Sequence, residues 1–260
     1  MATALVLAVA GILRLVGVAG GGTERATSTT TTEPTTTTLP PAPACAAGDT
    51  INLEDPKTGW ATILVDTDRG LPATYGPTDL RNISDAGFAF TPGLALRGLV
   101  MDDLRAMRDG AIANGTPIGI IAAFRSYAQQ ADLFARRVES MGSSEAGSRV
   151  AHPGHSEHQL GTTIDVTTAG ATDVDQSWGA SPTGQWVAGH AHEYGFLISY
   201  PARAERRTCY DYEPWHLRYV GRDLAAKVIA SGLTLREYLY AFAPPAVPPP
   251  PTTTIAAAPG

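Results

Sequence analysis

The spacing of apolar side chains along the middle of the chain predicts helices and strands in mixed order. From Pro92 to Asn114 apolar positions recur at helical spacing, which predicts a helix that ends at Gly115. Residues 117–124 form a short, unbroken apolar run between turn residues, and such a run indicates a buried strand. A second helix is predicted over about Tyr127 to Ser140, because Ser126 is a favourable N-cap for it.

The second half of the chain continues this mixture. Pro182 favours the start of a helix and Gly195 favours its end. Because paired strands lie close together in sequence, the order predicts an α+β fold with a small, mostly antiparallel sheet and flanking helices. The other predicted elements are a loop over 141–148, a strand over about 161–167, a helix over 182–194, strands over 196–200 and 213–220, and helices over 223–230 and 235–242.

Three segments differ in composition from the rest. Residues 2–22 are apolar apart from one arginine and predict a signal peptide or membrane anchor over 1–26. Residues 27–44 are rich in Thr and Pro and have too few large apolar side chains to offset the entropy of ordering, so they predict a disordered stalk. Residues 244–260, rich in Pro, Thr and Ala, predict a second disordered tail. The folded domain is then expected over 45–243.

Charge and cysteine content restrict the partners and the compartment. The chain has 19 Lys and Arg against 25 Asp and Glu, a formal net charge of −6, so there is no electrostatic reason to expect nucleic acid as a partner. We expect a monomer that meets the membrane only through its N-terminal segment. The 2 cysteines, Cys45 and Cys209, are expected to form a disulfide in an oxidising compartment. Zinc ligation is the alternative, although neither lies in a C-x-x-C pair.

Histidines and carboxylates are concentrated in two short stretches. Four of the 6 histidines fall within HPGHSEHQLGTTIDV and EPWHLRYV. His158 and Asp165 have Gly161 between them, so a turn there can bring both side chains to one point. Together with His216 they offer the nitrogen and carboxylate ligands that a catalytic zinc uses, and three protein ligands leave a fourth position open. His152 and His155 stand beside Gly and Pro in a loop, and we expect both to be exposed and outside the metal set.

A hydrolytic site also needs a base and a group that stabilises negative charge. Glu213 lies three residues before His216 and is the candidate base for the attacking water. Arg125 follows the predicted strand over 117–124 and is the candidate partner of the developing oxyanion. The sequence contains neither a G-x-S-x-G nucleophile motif nor a G-x-x-x-x-G-K-[ST] phosphate loop.

Three segments together resemble the motifs of a known family. FRSYAQQ, PGHSEHQLGTTIDV and EPWHLRYV resemble those of the VanY-type D-alanyl-D-alanine carboxypeptidases, which belong to the lysostaphin, D-Ala-D-Ala peptidase and hedgehog zinc superfamily. One departure is Thr163, where the family commonly has Ala. The middle segment follows the pattern S-x-H-x-x-G-x-x-x-D at Ser156, His158, Gly161 and Asp165, and the last follows E-x-W-H at Glu213, Trp215 and His216.

The resemblance implies a role for each matched residue. It implies an α+β fold around a zinc cleft, with one Zn²⁺ per chain bound by His158, Asp165 and His216. Glu213 becomes the catalytic base and Arg125 the stabiliser of the tetrahedral intermediate. The side chains implied to contact the peptide are Ser126, Gln130 and Ser156, with Trp215 in the wall of the cleft. Four alternatives without a functional role stay open, namely Arg125 as a neutraliser of the acidic domain, Ser126 as a helix cap only, Gln130 as a solvated helix residue and Trp215 as a core residue.

The implied activity is a zinc metallopeptidase of the bacterial cell envelope, secreted or membrane-anchored, that removes the terminal D-alanine from peptidoglycan stem peptides. Within the same superfamily the alternatives are an L,D-carboxypeptidase, a D,D-dipeptidase and a peptidoglycan endopeptidase. From another class, the alternative is a non-catalytic, zinc-containing module that binds the cell wall. The presence of Glu213 argues against that last alternative, because a module without turnover needs no base.

Overall fold

A four-stranded antiparallel sheet is the largest sheet of the computed structural model, which describes residues 42–52 and 54–242. The predicted signal or anchor over 1–26, nearly all of the stalk over 27–44 and the tail over 244–260 lie outside the described residues. Within the described part of the chain the strands are β1 (Thr50–Ile51), β2 (Arg69–Gly70), β3 (Leu80–Asn82), β4 (Ala95–Arg97), β5 (Ile118–Ala122), β6 (Thr163–Thr168), β7 (Phe196–Ile198) and β8 (His216–Tyr219).

The order of strands in the large sheet is β5, β6, β8, β7, and each neighbouring pair is antiparallel. Two small ribbons accompany it, the parallel pair of β1 and β2 and the antiparallel pair of β3 and β4. This arrangement confirms the predicted α+β fold with a mostly antiparallel sheet and flanking helices. In the described residues the α-helices are α1 (Met101–Ala113), α2 (Tyr127–Met141), α3 (Ser143–Arg149), α4 (Pro182–His190), α5 (Glu205–Thr208), α6 (Arg222–Ser231) and α7 (Leu235–Phe242).

The two faces of the large sheet have different chemistry. Ile164 and Val166 of β6 and Leu217 of β8 are fully buried and join the main hydrophobic core with residues of α1 and α4. Successive side chains of a strand point to opposite faces. Asp165 and His216, which alternate with these core residues, therefore belong to the other face, and that face carries the polar groups described below.

The predicted helix over 92–114 is wrong in its first part. Residues Ala95–Arg97 form β4, in which Leu96 pairs with Arg81 of β3, and α1 begins only at Met101. Leu96 is fully buried, as the apolar pattern predicts, but it lies in a strand rather than in a turn of a helix. A few apolar residues in a short segment fit a helix as well as a strand, and here the pairing of β3 with β4 makes the segment a strand.

The predicted loop over 141–148 is also wrong. Gly142 adopts φ +84, which separates α2 from a further short helix, Ser143–Arg149. Gly and Ser are poor helix formers. The segment is nevertheless helical where it packs against α2, because tertiary contacts override weak local preferences.

The start of α2 agrees with the prediction that Ser126 is its N-cap. The Ser126 hydroxyl accepts a hydrogen bond from the Gln129 N–H at 3.3 Å, and the Gln129 side-chain oxygen accepts one from the Ser126 N–H at 2.9 Å. These two bonds form a capping box, which satisfies backbone donors at the helix start. Because β5 ends at Ala122, the cap fixes the short connection that carries Arg125.

The beginning and the end of the described chain are joined. Cys45 and Cys209 form the predicted disulfide, with a Cα–Cα distance of 5.3 Å. In a buried ion pair, Arg236 of α7 donates from Nε to Asp66 Oδ2 at 2.7 Å and from Nη1 to the Pro43 carbonyl at 3.0 Å. In the part of the chain that is described, no helix has the length and apolar character needed to cross a membrane.

Candidate metal centre and active-site cleft

The three predicted metal ligands come together beside the large sheet. His158 lies in the 3-10 turn Glu157–Leu160, Asp165 lies in β6, and His216 is the first residue of β8. One possible ligand atom from each residue lies within 4.8 Å of the others. Asp165 Oδ1 is 3.4 Å from His158 Nε2 and 3.2 Å from His216 Nδ1.

The donor atoms fit a metal ion better than they fit one another. Although both nitrogens are near, Asp165 Oδ1 is buried and has no well-directed hydrogen bond from any described residue. The other ring nitrogens are already engaged, since His158 Nδ1 lies 2.7 Å from the Ala123 carbonyl and His216 Nε2 lies 3.0 Å from Glu157 Oε2. Such outer hydrogen bonds fix the ring orientation of metal-binding histidines. One oxygen and two nitrogens therefore face a common point, as the ligands of a single metal ion would.

Gly161 makes the turn between His158 and Asp165 possible. It adopts φ +72, and its N–H donates to the His158 carbonyl at 3.2 Å. A Cβ at this position would lie 2.8 Å from Pro77 Cγ and 3.0 Å from Arg97 Cγ. Glycine is needed here both for its left-handed conformation and for the lack of space beside it.

Burial and mutual contacts distribute charge unequally over the three ligands. Burial lowers the pKa of His158, which keeps its ring neutral, as a metal ligand must be. Burial also opposes the charge of His216, but the nearby carboxylates of Asp165 and Glu157 outweigh it and raise the pKa. For Asp165, burial favours the acid form, yet the two histidines hold its pKa well below the usual range. The ionised Asp165 therefore favours a positive charge beside it, and a bound cation would take the place of the proton on His216.

Glu213 lies beside the ligand group without being part of it. Pro214 and Trp215 form a turn in which the His216 N–H donates to the Glu213 carbonyl at 3.2 Å. This turn brings Glu213 Oε2 to 3.6 Å from His216 Nδ1. Burial raises the pKa of Glu213 to about 7, although the nearby His216 opposes the shift. A carboxyl group with such a pKa can both accept and donate a proton near neutral pH.

Arg125 stands in the wall of the same cavity as the three ligands. Its backbone N–H donates to the His158 carbonyl at 3.3 Å, and its Nε is buried without a hydrogen-bond partner among the described residues. Burial lowers the pKa of Arg125, and the carboxylates of Asp165 and Glu213 counteract that effect. Arginine stays charged in proteins, so the cavity wall offers an incompletely satisfied guanidinium to an anionic group.

The predicted substrate contacts divide into two groups. Gln130, Ser156 and Trp215 line the cavity that holds the metal ligands. Gln130 is 1% exposed, which excludes the alternative of a solvated helix residue, and its Nε2 donates to the Ala151 carbonyl at 2.6 Å. Its Oε1 is buried and has no partner among the described residues. Ser126 is absent from the described lining of this cavity, and its hydroxyl is engaged as the cap of α2.

The metal ligands lie in a cavity of about 210 Å³, and a wider cavity of about 680 Å³ adjoins it. Five residues line both, namely Arg137, Arg149, Val150, Glu213 and Trp215. The two cavities thus form one cleft, and Glu213 stands where its narrow and wide parts meet. A peptide chain can lie in the wide part while its end reaches the ligand group.

Glu157 is a functional candidate that the sequence reasoning missed. Its carboxylate is 4% exposed and accepts hydrogen bonds from His216 Nε2, Ser199 Oγ and Arg218 Nη1. Burial by itself raises the pKa of Glu157, but Arg218 and the other donors outweigh it and lower the pKa to about 2. Its position in the sequence, between Ser156 and His158, is the only feature that could have indicated a role in the site. An exposed carboxylate in a loop can occupy the same position, however, and only the burial of Glu157 in the structure distinguishes the two cases.

The expectation that His155 is exposed is wrong. His155 is 5% exposed, and its Nδ1 lies 2.8 Å from the Asp66 carbonyl. It is not part of the described ligand group. His152 is exposed as expected, with its ring against Phe134.

A cleft with a His, Asp and His donor set and an adjacent glutamate has the composition of a metallohydrolase centre. The family model of the D-alanyl-D-alanine carboxypeptidases, VanY, matches residues 93–222, which is half of the chain. The chain therefore belongs to the VanY family. This confirms the resemblance that the three sequence motifs indicate.

Individual relatives support the same assignment. The chain is 37% identical over 179 residues to YodJ of Bacillus subtilis (strain 168), a protein classed as a carboxypeptidase, and the match covers 67% of this chain and 65% of that relative. Among solved structures, the LD-carboxypeptidase LdcB is 37% identical with a TM-score of 0.64, covering 68% of this chain and 85% of that one. A mutant of the D,D-pentapeptidase VanY from a VanB-type resistance cassette, in complex with Zn(II), is 28% identical with a TM-score of 0.59, covering 69% and 99%.

Proposed function

We propose that this protein is a zinc-dependent D,D-carboxypeptidase that hydrolyses the terminal D-Ala-D-Ala bond of peptidoglycan stem peptides. The observation that carries the proposal is the Glu213 carboxylate, 3.6 Å from His216 Nδ1 and outside the ligand group. A base in that place distinguishes a hydrolase from a module that only binds zinc. Membership of the D-alanyl-D-alanine carboxypeptidase family supports the choice of substrate.

The residues proposed to hold one zinc ion are His158, Asp165 and His216, through Nε2, Oδ1 and Nδ1. Two nitrogens and a carboxylate oxygen, with a fourth position left open, suit zinc in a catalytic site. When bound, zinc supplies Lewis acidity, which polarises a carbonyl group and lowers the pKa of water.

Glu213 moves the proton in the proposed reaction. Its carboxylate accepts a proton from the attacking water as the new C–O bond forms at the penultimate carbonyl. The protonated carboxyl group then donates that proton to the leaving amine of the terminal D-alanine as the C–N bond breaks. A pKa near about 7 suits both transfers, because the group is then neither too weak a base nor too weak an acid.

The remaining side chains are proposed to bind and orient the peptide. Arg125 stabilises the negative charge that develops on the carbonyl oxygen. Gln130 and Ser156, buried in the cavity wall, hold the end of the peptide, and Trp215 forms a side of the cleft. Ser126 acts indirectly in this proposal, since its capping bonds fix the residue next to Arg125.

The proposed site of action is the bacterial cell envelope, outside the cytoplasm. The disulfide between Cys45 and Cys209 and a peptidoglycan substrate both support it. In this proposal residues 1–26 export the chain or anchor it in the membrane, and the Thr- and Pro-rich stalk over 27–44 lets the catalytic domain reach wall peptides.

A second candidate is L,D-carboxypeptidase activity with the same machinery. The observation that favours it is the greater similarity of the chain to LdcB than to the zinc-bound VanY structure. The two activities differ in the residue before the scissile bond. They are therefore separated by the peptide that is cut, not by the zinc ligands or the base.

Replacing the base tests the proposal. We expect Glu213→Ala to keep its zinc, measured by elemental analysis of the purified protein, and to lose release of D-alanine from a muramyl pentapeptide, measured by mass spectrometry. The matched control is Glu193→Ala, because Glu193 also lies three residues from a histidine, His190, but on the exposed surface. This control should retain full activity.

Three results would contradict the proposal. Unchanged D-alanine release by Glu213→Ala would exclude Glu213 as the base. Failure of the wild-type protein to cut the pentapeptide, together with removal of the last residue of a tetrapeptide, would replace D,D- with L,D-carboxypeptidase activity. Binding of peptidoglycan without any product would favour the non-catalytic module.

A further inference from the structure

The carboxylate of Glu157 lies directly behind one of the proposed zinc ligands. Its Oε2 accepts hydrogen bonds from His216 Nε2 at 3.0 Å and from Ser199 Oγ at 2.6 Å. Its Oε1 accepts one from Arg218 Nη1 at 2.9 Å. Glu157 thus contacts His216 on the nitrogen opposite to the one that faces Asp165.

Arg218 holds the carboxylate from the other side. Its side chain is 0% exposed, and its Nη2 donates to the carbonyls of Ile63 at 2.6 Å and Trp60 at 3.2 Å. Both Arg218 and His216 belong to β8, and residues two apart on a strand share a face. The segment that carries Trp60 and Ile63 precedes residues 93–222, the part matched by the family model.

A buried ion pair often contributes little to the net stability of a fold. Removing two charges from water is costly, and well-packed apolar residues often replace such a pair without loss. In contrast, a carboxylate behind a metal-binding histidine fixes which nitrogen carries the proton and how the ring is oriented. The location of the pair, in contact with His216, therefore favours a role in the ligand group.

We propose that Glu157 is a positioning residue for the zinc site, and that Arg218, clamped by the carbonyls of Trp60 and Ile63, keeps Glu157 in place. Glu157 holds the His216 ring with a proton on Nε2, so that Nδ1 is turned toward Asp165 and His158. The segment before the family match thereby becomes part of the support of the metal site. This inference rests on the zinc ligands named in the proposed function, but not on which peptide is cut.

The test replaces the carboxylate by an amide of the same shape. In Glu157→Gln, the amide oxygen can face His216 and Ser199, which leaves the NH₂ group opposite the Nη1 donor of Arg218. In the reverse orientation the NH₂ group meets the donors of His216 and Ser199. Either way one set of donors faces another donor. We expect zinc affinity, measured by competition with a chromophoric chelator, to fall about 10- to 100-fold.

A matched control separates positioning from stability. Asp66 is also a buried carboxylate paired with a buried arginine, Arg236, and its other partners are the backbone N–H groups of Asp68 and Arg69. Asp66→Asn should lower the thermal unfolding temperature as Glu157→Gln does, yet bind zinc with wild-type affinity. In the cobalt(II)-substituted proteins, the visible absorption spectrum should change for Glu157→Gln and stay unchanged for Asp66→Asn.

The activity measured against zinc concentration gives a further readout. Excess zinc should restore much of the D-alanine release of Glu157→Gln, because its defect is in zinc binding, whereas Glu213→Ala should not respond. If Glu157→Gln does not fold, Ser199→Ala takes its place, since it removes one hydroxyl donor to Glu157 and should weaken zinc binding a few-fold.

The inference is overturned if the folded variant binds zinc with wild-type affinity and gives the wild-type cobalt spectrum. It is also overturned if Asp66→Asn weakens zinc binding equally, because the effect would then be one of general stability. Failure of the wild-type protein to bind zinc at all would instead refute the proposed function.

Discussion

Asp165 and His216 are direct cross-strand partners in the antiparallel pairing of β6 with β8. The register places both side chains on the polar face of the sheet and brings Asp165 Oδ1 to 3.2 Å from His216 Nδ1. The backbone hydrogen bonds of a sheet therefore hold two of the three proposed ligands in place. The third, His158, lies in the 3-10 turn that precedes β6. A shift of one residue in this register would turn one ligand away from the other.

Gly161→Ala is expected to weaken both the fold and the zinc site. A left-handed Ala costs about 1–2 kcal/mol, and its Cβ would press on Pro77 and Arg97 at 2.8 and 3.0 Å. We expect a loss of roughly 2–5 kcal/mol in the free energy of unfolding, measured with urea, since overpacking adds about 1–3 kcal/mol to that cost. Gly170→Ala is the control, because Gly170 has φ +88 but nothing within 4 Å. Equal losses in the two variants would show that the space beside Gly161 does not matter.

Arg125→Lys is expected to lower kcat/KM about 100- to 1000-fold, the effect of losing one donor to an oxyanion. Lysine keeps the positive charge but offers a compact ammonium in place of the planar guanidinium. Zinc content should not change, because Arg125 is not a ligand. Arg81→Lys, in an exposed pair with Asp85, is the control and should be fully active. A wild-type kcat/KM in Arg125→Lys would exclude a contact to the transition state.

Glu237 of α7 is expected to make stability depend on pH in the acid range. The hydrogen bonds from Arg207, with those from Thr234, hold its pKa at about 2, below the ordinary 4.5. A lowered pKa stabilises the fold fully above about pH 4.5 and progressively less as the pH falls toward about 2.

The variant Glu237→Gln should therefore lose roughly 1 kcal/mol of stability near neutral pH and much less near pH 2. Urea unfolding across this pH range measures the difference from wild type. Asp102→Asn is the control, since the Asp102 side chain is 96% exposed in its pair with Arg105 and should show little effect at any pH. If the full difference in stability between Glu237→Gln and wild type persisted near pH 2, it would not arise from the ionisation of Glu237.

The disulfide is expected to contribute about 2–5 kcal/mol to the free energy of unfolding. Cys45 and Cys209 are separated by 164 residues, and a link that closes so long a loop strongly restricts the unfolded chain. The double variant Cys45→Ala/Cys209→Ala should unfold at lower urea concentration than wild type and should not respond to a reducing agent. Wild-type protein treated with the same reductant should match it. Equal stability with and without reductant in the wild type would refute this contribution.

Much of the candidate site was predictable from sequence because metal and proton chemistry require particular side chains. His158, Asp165, His216 and Glu213 were identified by residue type and spacing, and the structure brings all four together. Elements with strong local signals were also predicted well. The apolar run of β5 and the capping box of α2 depend on neighbouring residues, so the sequence pattern contains most of the information that forms them.

The elements that were predicted wrongly depend on distant partners. The spacing of Leu96 fits a helix as well as a strand, and only its pairing with Arg81 makes it part of β4. Gly and Ser in α3 favour a loop, yet contact with α2 stabilises a helix. In both cases the local preference is weak, and the contacts that override it involve residues that the local pattern does not include.

The amino-acid sequence is enough to name the side chains that can perform the chemistry, because binding a metal and accepting a proton are properties of residue type. Which other polar groups support those side chains depends on how the chain folds. Glu157 and Arg218 look like solvated charges in the sequence, but folding buries both beside His216. Ser126 matches the family pattern, and the fold makes its hydroxyl the cap of α2. The physical reason is that contacts between segments far apart in the chain determine which side chains are buried and which groups they hydrogen-bond. Residue type does not depend on those contacts.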